Sequence, residues 1–185
     1  VDAALETFEE GELEKVVLAR SLRVDHDGAI DVPAFLDRLR GLYPTCTLVA
    51  AGRGDDTFLA ATPELLVRRD GDRVTSRVLA GTVRRRGDES VDAARAAALL
   101  GSNKDLEEHE YAVHSVAEAL AAHCTDLDVP TAPHVLSLAN VQHLATDVTG
   151  LLADGAPALA LAASLHPTAA VCGTPTERAA AIIRE

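Results

Sequence analysis

The chain has 185 residues, 48% hydrophobic and 25% charged, the make-up of a globular protein long enough for a sizeable core. Its formal net charge of −12 argues against nucleic acid or an anionic membrane as partner, and Cys46, Cys124 and Cys172, far apart and without ligand spacing, suggest neither a disulfide framework nor a zinc site. No leader-like segment and no apolar run of membrane length is present, so a reducing cytoplasm is the expected compartment.

Ala3 to Glu12 reads as an amphipathic helix. Lys15 to Val24, "KVVLARSLRV", reads as a strand with Val16, Leu18, Leu22 and Val24 on one face and Lys15, Val17, Ala19 and Ser21 on the other. Asp31 suits the cap of a helix with Pro33 in its first turn, running to Arg40. Short strands are expected near Cys46–Ala51, Phe58–Ala60, Leu65–Arg69, Arg73–Val78 and Val83–Arg86, with Asp70-Gly71 as a two-residue hairpin loop. The basic run Arg84 to Arg86 is followed at once by Asp88 and Glu89 and reads as a solvated strand end or turn. Asp88 or Ser90 starts a helix that reaches Leu100.

The next stretch, "GSNKDLEEHEYAVHSVAEAL" from Gly101 to Leu120, concentrates negative charge at the head of a helix. Ser102 followed by Asp105 has the spacing of a capping box, and acids suit the positive end of the helix dipole. Helical periodicity also places Glu108, Ala112, Ser115, Ala119 and Ala122 on one small-residue stripe, with Leu106, Val113, Val116 and Leu120 as the wider apolar face. Asp105 and Glu108, one turn apart beside that stripe, form a carboxylate pair that can hold a hard cation such as Mg²⁺. Capping and metal binding are both open on these residues alone.

"HVLSLANVQHLATDVTG" carries Val135, Leu138, Val141, Leu144 and Val148 and reads as one or two strands. Pro157 to Leu165 is a short helix. Thr174-Pro175-Thr176-Glu177 resembles a capping box with proline at the first helical position, opening a helix to Glu185. No internal repeat is present. Hairpin-like strands with inserted helices make this an α+β chain, not a doubly wound one. It lacks a Gly-rich phosphate loop, a GxSxG and an HExxH.

Several stretches in order resemble the chorismate-binding enzymes, the family of isochorismate, salicylate and anthranilate synthases. They are "KVVLAR" (15–20), "TPELLVRR" (62–69), "LAGTVRRRGD" (79–88), "SNKDLEEH" (102–109), "VQHLATDVTG" (141–150) and "LHPTAAVCGTP" (165–175). The resemblance implies antiparallel sheets packed as a sandwich with flanking helices. It implies Lys15 as the base that activates water; burial would lower a lysine pKa and favour that role. Glu64 would be the general acid, kept protonated in apolar surroundings. Gly81 and Thr82 would contact a substrate carboxylate, His143 would line the pocket near the ring hydroxyl, and Ala170 would sit in the substrate loop. His166 and Thr168, in a motif loop beneath the site, would be structural with a pocket-lining role. Glu108 would ligate Mg²⁺, with Asp105 supporting it through water or capping the helix.

Within the family, Lys15, the Leu79-Ala80-Gly81-Thr82 wording and Ala170 in place of threonine favour water over ammonia as nucleophile. The implied reaction is chorismate to isochorismate, supplying menaquinone or siderophore synthesis, by a monomer when full length. The alternatives are a salicylate synthase, an anthranilate- or aminodeoxychorismate-type synthase, or a truncated, non-catalytic relative. One departure is Ala169, where the family motif has a second proline; this is expected to loosen the loop. The other is extent. Residues 1–185 correspond to part of the family's catalytic domain, without its second metal-binding glutamate or its substrate-gripping arginine, and are expected to be inactive alone.

Overall fold

The computed structural model describes residues 2–184. The first helix, α1, covers Asp2–Glu9 and stops short of the expected Glu12, because the chain turns at Gly11. Strand β1 is only Lys15–Val16, against an expected run to Val24. It pairs with the equally short β9, Gly173–Thr174, through Lys15↔Thr174 and Val16↔Gly173. No described strand lies alongside the chain beyond Val17, so its backbone groups have no ladder to join. Leu18, Leu22 and Val24 are correspondingly exposed.

Helix α2 spans Val32–Leu42, with the Asp31 carboxylate accepting the Ala34 N–H as cap. Strands β2 (Thr47–Arg53) and β3 (Asp56–Thr62) form a separate hairpin. Strand β4 (Leu65–Asp70) turns into β5 (Arg73–Arg84) through Gly71-Asp72, one residue later than the expected Asp-Gly loop. The two strands expected within 73–86 are one. They read as two because the pairing slips at Gly81: Ala80 opposes Leu144, but Thr82 opposes His143. The extra residue is a β-bulge that reverses the alternation of side chains beyond it.

Helix α3 (Glu89–Leu100) is capped by Asp88, and α4 (Asn103–Ala121) by Ser102. Strand β6 (Cys124–Asp128) was not anticipated, its charged and polar residues hiding the period. The stretch read as one or two strands is two, β7 (His134–Ser137) and β8 (Val141–Leu152), paired with each other. Helix α5 covers Ala158–Leu165 and α6 Thr176–Arg184. Glu185, expected to end α6, lies outside the described residues, and Thr174 belongs to β9, so the helix starts two residues after it.

The main sheet is five-stranded and antiparallel. β8 is its axis, with β5 along one edge and β6 and β7 sharing the other. α4 and α5 cover one face. Val74, Val78 and Ala80 of β5 and Val148 and Leu152 of β8 meet Ala112, Val116 and Leu120 of α4 and Leu161 and Leu165 of α5 in one apolar cluster. Burying each large aliphatic side chain there contributes about 1.5–3 kcal/mol. The line of α4 that meets the sheet is His109, Ala112, Val116 and Leu120; Val116 and Leu120 come from the expected apolar face and Ala112 from the expected small-residue stripe. Alanine at 112 allows the closest approach, while Leu106 and Val113 flank it along a cavity beside Val129 and Pro130. Among the described residues no helix is long and apolar enough to cross a membrane.

Candidate active site

Lys15 is held where β1 meets β9. The flanking bonds are Glu14 N–H to Thr174 C=O and Val17 N–H to Cys172 C=O, both 2.8 Å. From there the side chain runs beside the first turns of α4. Its Nζ reaches the Glu108 main-chain oxygen at 3.5 Å and Glu108 Oε1 at 3.8 Å. The lysine side chain is 10% exposed and that of Glu108 41%. Burial lowers the Lys15 pKa, and the charge of Glu108 only partly offsets it. The pair opens into a cleft of about 500 Å³ with Lys104 and Tyr111 at its sides.

Glu64 lies between Pro63 and β4, its N–H donating to Thr62 Oγ1 at 3.1 Å. Burial raises its carboxyl pKa. It faces a different cavity, about 330 Å³, shared with His166, Thr168 and Val171. The expected base and acid are therefore placed in two separate cavities of this chain. His166 and Thr168 sit with the acid.

The Gly81 bulge brings Thr82 Oγ1 within 2.9 Å of His143 Nδ1. Gly81 has φ +78°, and a Cβ there would crowd Leu144 Cδ1 at 3.2 Å and Asp105 Cβ at 3.3 Å. So Gly81 and Asp105 are packed against each other, on the α4 side of the sheet. His143 follows the opposite alternation to Leu144 and points to the other face, where burial lowers its pKa. Ala170 packs against the main apolar cluster. Ala169, expected to loosen its loop, is buried, and its N–H donates to Ser115 Oγ at 3.4 Å. A proline has no N–H to give; the small stripe of α4 holds the loop instead.

Asp105 does not cap α4. The cap is the Ser102 hydroxyl, which accepts the Asp105 N–H at 3.3 Å. Glu108 and Asp105 supply one carboxylate region. Among the described residues no group of three or more His, Cys, Asp or Glu could enclose a metal ion, so these residues alone do not fit Mg²⁺, which demands a fuller set of oxygens.

Three residues escaped the sequence reading. His109 is buried, its Nδ1 3.2 Å from the Ala80 carbonyl and its Nε2 2.8 Å from Thr146 Oγ1. A carbonyl only accepts, so Nδ1 carries the hydrogen. Asp92 is also buried. It accepts from Arg86 N–H (2.7 Å), Gly87 N–H (3.3 Å) and Arg85 Nε (3.0 Å), which lowers its pKa. The arginine run is thus anchored at Arg85, whose guanidinium also donates to the Leu138 carbonyl, instead of being wholly solvated. Gly173 lies against Lys15. Only its position inside a resembling stretch could have pointed to it.

An antiparallel sheet backed by two helices, with a buried lysine against a helix-borne glutamate, restricts the class. The family described as chorismate binding enzyme matches residues 1–185, and the chain belongs to that family. Within it, the chain is 40% identical over 187 residues to isochorismate synthase DhbC of Bacillus subtilis, covering 97% of this chain and 47% of that protein. It is 38% identical over 175 residues to isochorismate synthase EntC of Escherichia coli, covering 94% and 45%. The solved structure of MenF, the menaquinone-specific isochorismate synthase of Escherichia coli, superimposes with a TM-score of 0.90 at 33% identity, covering 99% of this chain and 42% of that one. The chain thus spans about half the length of the relatives it matches.

Proposed function

We propose that this chain carries part of the active site of an isochorismate synthase. The reaction is conversion of chorismate to isochorismate. Water adds at C2 while Lys15 takes its proton. Glu64 gives a proton to the C4 hydroxyl, which leaves as water, so atoms and charge balance. The observation that carries the reading is Lys15: a lysine whose burial favours the neutral amine is available as a base. Glu64 supports it from the other side, since burial keeps its proton on. Thr82 and His143 would orient the substrate, with the Gly81 backbone and Ala170 beside it. Both catalytic groups would have to converge on one chorismate, although in this chain they line different cavities.

Mg²⁺ belongs to the proposal as an ion held in part by Glu108, with Asp105 nearby. When bound it would neutralise substrate carboxylate charge. The described residues offer one ligand region only. The substrate is the small molecule chorismate, the product feeds menaquinone or siderophore synthesis, and the enzyme works as a cytoplasmic monomer.

The test uses a polypeptide of the relatives' full length that contains this chain. It is incubated with chorismate and Mg²⁺, with and without ammonia, and the products are separated by chromatography. Isochorismate in both cases is expected. Anthranilate or aminodeoxychorismate appearing only with ammonia would move the chain to the aminating branch, and salicylate would move it to the pyruvate-eliminating one.

A further inference from the structure

The Lys15 backbone has an unusual neighbour. Gly173, opposite Val16 in the β1–β9 ladder, has φ +150°. A Cβ built on it would fall inside the van der Waals sphere of the Lys15 carbonyl oxygen, 2.9 Å from the Lys15 carbonyl carbon and 2.7 Å from Ala179 Cβ. These are backbone and a buried helix residue, not the mobile end of a side chain. Neither can step aside without moving β1 or α6. The same cluster encloses Leu13, Cys172 and Ala179, all buried. Gly173 is therefore clamped between the backbone of Lys15 and α6.

The ladder is two residue pairs long, and the bonds that extend it, Glu14 N–H to Thr174 and Val17 N–H to Cys172, also run to the segment that holds Gly173. Lys15 is buried at that point, and its amine meets both the side chain and the main chain of Glu108. A shift of β1 away from β9 would be transmitted directly to the root of the lysine side chain.

We infer that Gly173 is a positioning residue for Lys15: the missing side chain lets β9 and α6 close on β1 and aim the amine along the head of α4. This rests on the reading of Lys15 as the base. Gly173 itself touches no reacting atom. A β-carbon at 173 would displace Lys15 without changing the chemical groups of the site, so it should lower turnover and leave substrate binding nearly intact.

The experiment is done on the polypeptide of the relatives' length, comparing wild type with Gly173→Ala, Gly155→Ala and Lys15→Ala. Gly155 has φ +71° with nothing within 4 Å of a Cβ, so its variant adds backbone strain without a clash. Hydrogen exchange is followed at the Glu14 and Val17 amides, which bond to β9, alongside kcat, KM and the thermal melt. In Gly173→Ala both amides are expected to lose protection, and kcat to fall about 10²-fold with KM little changed, the scale of a misplacement of about 1 Å. Gly155→Ala should keep wild-type exchange and turnover. If Gly173→Ala does not fold, Val17→Pro replaces it. That variant removes the Val17 N–H bond to Cys172 and restricts the backbone of residues 16 and 17; exchange is then followed at the Glu14 amide, which should lose protection with the same fall in kcat. Wild-type exchange and turnover in the folded variant, with turnover lost in Lys15→Ala, would overturn the seat alone. Normal turnover in Lys15→Ala would overturn the reading it rests on, and the inference with it.

Discussion

Lys15 reaches Glu108 in two ways, by its carboxylate at 3.8 Å and by its main-chain oxygen at 3.5 Å. The second contact fixes the amine to the helix itself, whatever the carboxylate does. The two influences on the lysine oppose each other, and desolvation is the larger. Attraction by a glutamate that is 41% exposed is well screened.

On the proposed reading, Lys15→Ala in a polypeptide of the relatives' length should lower kcat by about 10²–10⁴-fold, the usual share of a general base, with a much smaller change in KM. Steady-state kinetics with chorismate decide it. Turnover within a few-fold of wild type would reduce Lys15 to a structural charge.

The carboxylates at the head of α4 can be told apart. Ser102→Ala should cost about 0.5–2 kcal/mol in stability, because the serine hydroxyl is the cap. Asp105→Asn should leave the melt nearly unchanged, since its carboxylate makes no hydrogen bond among the described residues. Glu108→Gln should weaken the response to added Mg²⁺. Thermal melts and metal titration of activity separate these effects. A large melting loss in Asp105→Asn would mean that its side chain, not Ser102, holds the helix start.

Burial raises the Glu64 pKa, and the sign of the consequence is definite. The folded state holds the proton more tightly than the unfolded chain. Its stabilising contribution is complete below the ordinary carboxyl value and is lost as pH rises through the raised folded value. Glu64→Gln should gain stability relative to wild type as pH climbs through that window, while isochorismate formation is lost. Melts at pH 4 and pH 7 measure it. A constant difference between the proteins at both values would contradict the burial argument.

His109 shows the opposite sign. Burial lowers its pKa below the imidazole norm, with the bond to the Ala80 carbonyl a smaller opposing effect. Stability that is present above about pH 6.5 should drain away as pH falls through the lowered folded value. Urea midpoints for wild type should drop between pH 7.5 and 5, and the drop should be shallower in His109→Gln. Parallel curves would show that other groups govern acid unfolding.

Much of the architecture was legible in the sequence because its signals are local. Asp31 with Pro33, Asp88 and Ser102 mark helix starts by chemistry that acts within one turn. Lys15 to Val24 misled because alternation describes a strand's faces and says nothing about its neighbour; the ladder at β9 ends after two residues. Residues 73–86 misled in the other direction, since a bulge breaks the period without breaking the strand. At the site, burial of Lys15, deeper than the half-burial its strand suggested, and partial burial of Glu64 were foreseeable from their apolar surroundings. Their placement in separate cavities was not, because it depends on where loops between distant segments settle. His109 and Asp92 were missed for the same reason. A buried polar residue declares itself only through partners far along the chain, such as Thr146 for His109.

The bulge at Gly81 makes a question of parity out of a question of place. Ala80 and Thr82 are both even-numbered, yet one meets the helix side and the other meets His143 on the reverse. What sends the hydroxyl outward is a residue count, not the identity of the threonine. Were residue 81 paired in regular alternation opposite His143, Thr82 would oppose Gln142 instead and turn inward, toward the helix. One extra unit of backbone thus divides the outward lining of the strand from the lining of the core.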